Sequence, residues 1–199
     1  MGRARYLDPG GFRVRVAFCA VATVLLVLAV RGAQGPAPLE ARGAPPWPAP
    51  SSVPAGVRAA GLTLPAAQPD VVRFAVHLDV IVDGRRVAVP AGIGVGTSGH
   101  RIAALYTSDA SGIIHVESDS DASVFTLGQF FDEWQVALTS QRLGGLRTSR
   151  SGWVAVYLDG ARVTGAPGSV LLTPHLEIAV AYQTAPVAAP AGYAFPAGT

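Results

Sequence analysis

Between residues 71 and 182, apolar positions recur with a period near two, the signature of strands with one buried face. Phe74, Val76, Leu78, Val80 and Val82 alternate with Ala75, His77, Asp79 and Ile81, and Asp83-Gly84 follows. An Asp-Gly pair between such runs predicts a two-residue hairpin turn, because both turn positions need positive φ. Pairing across it sets Val80 against Val87 and Leu78 against Val89. A second hairpin is expected from Ile102–Thr107 and Ile113–Ser118 around a turn at Ser108–Gly112. A third joins Val154–Leu158 to Ala161–Val163 through Asp159-Gly160, and a last strand runs from Leu176 to Tyr182. The octets VIVDGRRV (80–87) and VYLDGARV (156–163) agree at five positions. Their flanks do not repeat, so they read as two hairpins meeting one turn requirement.

One segment changes period. Thr126 and Gln129 have capping-box spacing, and Leu127, Phe130, Phe131, Trp134 and Leu138 fall at helical intervals. This predicts a helix that lays an aromatic stripe on the sheet. Arg142–Gly152 then reads as a solvated loop with three arginines. The order of elements predicts an α+β fold, a β-grasp-like mixed sheet built from hairpins with one short packing helix.

Outside this unit the pattern is not that of a packed domain. Val16–Val30 is an uncharged apolar run preceded by Arg3, Arg5, Arg13 and Arg15 and closed by Arg31. A basic segment before an apolar run is an export signal. Its 15 residues span roughly 22 Å as a helix, short of the ~30 Å hydrocarbon core. Residues 1–31 are therefore expected to be a signal peptide or an N-terminal membrane anchor, with the rest of the chain outside the cytoplasm under the positive-inside rule. Residues 32–70 hold nine of the 16 prolines and predict an extended Pro/Ala-rich linker. The folded unit is 71–182, and residues 183–199 are an Ala/Pro-rich tail.

Composition narrows the chemistry. The chain has 199 residues, one cysteine, 15 arginines and no lysine. A disulfide scaffold, a multi-cysteine zinc site and lysine chemistry are excluded. The formal charge is +2, but five arginines and one acid lie at or before residue 31. Ten arginines and 12 acids follow, about −2, so the basic charge belongs to the export segment. No basic stripe with interleaved aromatics remains, and nucleic-acid binding is not expected. Cys19 reads as an ordinary apolar residue of the run. No Gly-x-Ser-x-Gly elbow, phosphate loop or His-Glu-x-x-His helix occurs.

The features with chemical content are three His-x-acid pairs: His77/Asp79, His115/Glu117 and His175/Glu177. In a strand, residues i and i+2 share a face, so each pair projects imidazole and carboxylate together. Adjacent strands carrying two such pairs supply mixed N/O ligands for Zn²⁺ or Cu²⁺. In a β-grasp the first and last strands are neighbours, which would bring His77 towards His175. The same pairs also suit plain polar positions opposite an apolar face. Two readings follow. One is an exported or membrane-tethered envelope module, without a resident cofactor, binding a protein or small ligand. The other is a metal-binding envelope protein.

Phe125–Phe131, Val156–Gly160 and Pro174–Ile178 together resemble the C-terminal half of the β-grasp domains related to the transcobalamin C-terminal domain. A closer similarity is to an uncharacterised family of exported and membrane-anchored actinobacterial and archaeal proteins. Its motifs match at His77-Leu78-Asp79-Val80, Ile114-His115-Val116-Glu117 and Thr126–Phe131. The chain departs where that family is richest in histidine: Tyr106-Thr107-Ser108-Asp109 stands in place of His-Thr-His-Asp, and Arg73 and Ala75 occupy further histidine positions. The resemblance implies that a metal site built on those clusters would be reduced in this chain.

Overall fold

The computed structural model describes residues 43–62, 71–97, 100, 103–185 and 192–196. Residues 1–31, expected to be a signal peptide or membrane anchor, lie outside the described residues. Among the described residues no helix is long and apolar enough to cross a membrane.

The expected α+β architecture is present. Strand β1 (Val72–Val82) is the long central element, and β2 (Arg85–Val87) returns against its end. β3 (Leu105–Tyr106) and β4 (Ile113–Ser118) form the second hairpin. β8 (Trp153–Leu158) and β9 (Ala161–Val163) form the third, and β10 (Glu177–Gln183) closes the fold. The sheet runs β3-β4-β1-β10-β8-β9, with β2 on β1, and β1 pairs with β10 in parallel. The first and last strands side by side at the centre are the β-grasp arrangement.

Both Asp-Gly turns adopt the left-handed geometry that the pair demands. Asp83 and Gly84 have φ 47 and 78, and Asp159 and Gly160 have φ 48 and 79. Val80 faces Val87 as expected, but that ladder ends there. The Leu78 N–H instead donates to the Gly112 carbonyl at 2.8 Å, so Val89 has no strand partner opposite Leu78.

One face of the sheet (Val76, Leu78, Val80, Ile114, Val116, Val156, Ile178 and Val180) packs with α2 (Leu127–Trp134) in a single core. The capping box forms: Thr126 Oγ1 accepts from the Gln129 N–H at 3.3 Å, and Gln129 Oε1 accepts from the Thr126 N–H at 3.0 Å. The helix stops at Trp134, where Gln135 turns left-handed at φ 63. Leu138 therefore belongs not to the helical stripe but to β5 (Leu138–Thr139). β5, β6 (Arg142–Leu143) and β7 (Leu146–Arg147) make a small three-stranded sheet. The arginine-bearing segment is thus not a plain loop: Leu143 is fully buried in the core and anchors it.

The boundary expected at residue 71 is also corrected. Residues 43–62, placed within the extended linker, pack onto the domain. Trp47 is 3% exposed and meets Trp134 edge to face, with centroids 6.1 Å apart. The Trp134 Nε1–H donates to the Pro48 carbonyl at 3.0 Å. Helix α1 (Val53–Ala59) lies against α2, where Gly56 touches the Glu133 backbone so closely that a Cβ would come within 2.2 Å of its carbonyl oxygen. A proline-rich chain makes no ladder of its own, but one aromatic side chain buries enough apolar area to hold it. Trp47→Ala is expected to cost about 3–5 kcal/mol, read as a lowered urea midpoint of the full chain.

Glu133 on α2 is fully buried, and neither carboxylate oxygen has a partner among the described residues. Its carboxyl lies beside Gly94, where burial raises its pKa from 4.5 to about 8. The unfolded chain ionises this group near 4.5 and the folded chain near 8, so stability is lost as pH rises through that window. At ~1.4 kcal/mol per tenfold change in proton affinity, the total is on the order of 5 kcal/mol. Glu133→Met is expected to gain stability over the wild type increasingly from pH 5 to pH 9 in urea titrations. An equal difference at both pH values would contradict this account.

Candidate metal centre

The second face of the sheet carries the sequence-predicted site residues. His77 and Asp79 are i and i+2 on β1, and the parallel register sets Glu177 opposite His77. All three are buried, at 2%, 5% and 7% exposure. One potential ligand atom from each lies within 4.8 Å of the others.

Each side chain is held by one of its polar atoms. His77 Nε2 lies 3.2 Å from the Ser111 carbonyl and, when protonated, donates to it. Ser111 is itself fixed, its N–H donating to Asp109 Oδ1 at 2.9 Å, and the hydrogen bonds from Ser111 hold the Asp109 carboxyl below its usual range. Asp79 Oδ1 accepts from Arg86 Nη1 in an ion pair. Glu177 Oε2 accepts from the Tyr193 N–H at 2.7 Å. At the start of β10, the Glu177 N–H donates to Asp159 Oδ1 at 3.1 Å. The second polar atom of each side chain, His77 Nδ1, Asp79 Oδ2 and Glu177 Oε1, is buried with no hydrogen-bond partner among the described residues. Burial pushes the His77 pKa down against the opposing pull of Asp79, which favours the neutral ring with a lone pair free.

This donor set fits a divalent cation. Buried, unpaired carboxylates are costly, and Arg86 supplies one positive charge against two acids. A neutral imidazole and two carboxylates give three ligands and leave a further position open, a pattern used for Zn²⁺ sites that exchange or react. Bonds of about 2.0–2.2 Å put tetrahedral ligand atoms roughly 3.3 Å apart, a spacing inside the 4.8 Å that bounds the three ligand atoms here. The held atoms match the outer shell such sites require: a backbone carbonyl on the imidazole and donors on each carboxylate.

The other predicted residues do not join this cluster. Strand register places Ala75 opposite His115 and Ile113 opposite His77. His115 stacks on Tyr106 at 4.7 Å and lies 3.3 Å from Ser108 Oγ. Glu117 accepts from the Tyr106 hydroxyl at 3.0 Å and pairs with Arg73 at 3.2 Å. His175 precedes β10 at φ 59, so the His175/Glu177 spacing is not strand spacing and the exposed His175 ring turns aside to pack against Phe195 at 5.0 Å. Arg86, exposed beside the hairpin turn, reaches Asp79 because the register Ile81↔Arg86 puts it on the Asp79 face, a signal present in the alternation itself. Tyr193 had no such signal, because the Ala/Pro-rich composition around it reads as a tail.

A separate cavity of about 340 Å³ lies on the apolar side of β8, lined by Val154, Val156, Leu158, Val163 and Val170, and its walls carry no carboxylate or imidazole. Comparison with family models, with curated proteins and with solved structures found no match to this chain.

Proposed function

We propose that the domain binds a divalent metal ion, with His77, Asp79 and Glu177 as ligands, in a protein exported to or tethered at the cell envelope by residues 1–31. The observation that carries the metal reading is the convergence of three buried side chains, each with one polar atom held and the other without a partner among the described residues. A buried polar atom without a partner is rare. Three on neighbouring side chains suit a cation held between them. The envelope location rests on the basic and apolar pattern of residues 1–31, and the role is one of binding.

Zn²⁺ and Cu²⁺ titrated into the full chain by calorimetry test the site. The wild type is expected to bind one ion tightly, His77→Ala and Glu177→Ala to weaken it at least 100-fold, and His115→Ala to leave it within a few-fold. Binding no tighter than to unrelated proteins, or an equal loss in His115→Ala, refutes the assignment. Location is tested separately by protease treatment of intact cells. Residues beyond 31 are expected to be cleaved without lysis, and full protection contradicts export.

A further inference from the structure

The three ligands rest on the sheet, and residues 192–196 of the C-terminal segment lie against them. Its side chains alternate: Tyr193 and Phe195 are half-buried, whereas Gly192, Ala194 and Pro196 are exposed. The Tyr193 ring stacks on His77 with centroids 3.7 Å apart and planes 6° from parallel. Phe195 packs on His175 and meets Tyr193 edge to face at 5.1 Å. The Tyr193 amide donates to Glu177 Oε2. One residue of the tail therefore touches two of the three ligands, the imidazole through its ring and the carboxylate through its backbone.

We propose that residues 192–196 form a strap whose docking governs metal exchange at the triad, with Tyr193 as its positioning residue. This rests on the metal reading above. The two sides of the site differ in what it takes to open them. β1 and β10 are the two central strands, each paired on both sides, so their separation requires breaking the sheet. The strap belongs to no strand or helix, and among the described residues it is held to the ligands by one backbone hydrogen bond and a ring contact. Segments of that kind open locally far more readily than core strands. An ion bound to His77 and Glu177 would leave by the route the strap covers, at a rate set by how often the strap lifts. Docking also orients Glu177, because the amide fixes one oxygen and leaves the other free for the ion.

The test compares the zinc-loaded full chain with Tyr193→Ala, Tyr193→Phe and a chain ending at residue 191, following zinc transfer to a chromogenic chelator in stopped flow. Tyr193→Ala and the shortened chain are expected to release zinc at least tenfold faster. Tyr193→Phe keeps the ring and the amide and is expected to match the wild type. Metal-free samples of the same proteins are treated with diethyl pyrocarbonate, with His77 expected to react several-fold faster once the strap is removed. Matching urea midpoints show that the fold is kept. If zinc release and His77 reactivity in the shortened chain stay within twofold of the wild type, the strap is overturned while the metal site stands. A wild-type chain that takes up no zinc overturns the metal reading, and this proposal with it.

Discussion

The parallel pairing of β1 with β10 is the constraint on which both faces of the domain depend. It joins the chain's first strand to its last, across about a hundred residues, with His77 opposite Glu177 and Val82 opposite Tyr182. Because the side-chain period of a strand is two, one register choice decides both surfaces at once. Val76, Leu78 and Val80 then meet Ile178 and Val180 beneath α2. On the other side Ala179 and Ala181 pack with Ile81, Tyr157 and Trp153 in a second apolar cluster, and His77, Asp79 and Glu177 come together on the same face. A slip of one residue would bury the acids in the aromatic core and separate the triad.

The domain carries buried acids in two different ways. Glu133 stands without a partner and takes up a proton instead, so its burial is tolerated by neutralisation. Asp79 and Glu177 each keep a donor on one oxygen, Arg86 for the first and the Tyr193 amide for the second. The contrast matters for chemistry, because a donor on one oxygen orients the carboxyl and leaves the other oxygen available to a cation.

What was legible in the sequence followed from local rules. Asp83-Gly84 and Asp159-Gly160 announced their turns because few residues accept φ near 50. Thr126 and Gln129 announced the helix start, and alternation put His77 and Asp79 on one face. The misses were tertiary. Trp47 sits in a proline-rich stretch whose composition indicates a spacer, and only the groove beside Trp134 makes it a core residue. Leu143 draws residues 138–147 into a small sheet that no period announces. Among the site residues, His115/Glu117 and His175/Glu177 share the i, i+2 spacing of His77/Asp79 in the sequence, but of these two only His115/Glu117 lies within a strand. Strand register, set between distant segments, and the strand start at Glu177 decided which pair met a partner.

The aspartates of the two Asp-Gly turns do more than turn the chain. Asp159 accepts the Glu177 N–H at one end of β10, and Asp83 accepts the Thr184 N–H and hydroxyl, both at 3.0 Å, just beyond the other. The last strand is thereby clasped at both ends by hairpins made long before it in the chain. A chain that lacks residues 177–184 has neither clasp closed and no centre to its sheet. On the proposed metal reading Glu177 joins His77 and Asp79 only when that strand arrives, so loading would follow completion of the sheet, and the compartment in which folding finishes would decide which ions the site first meets.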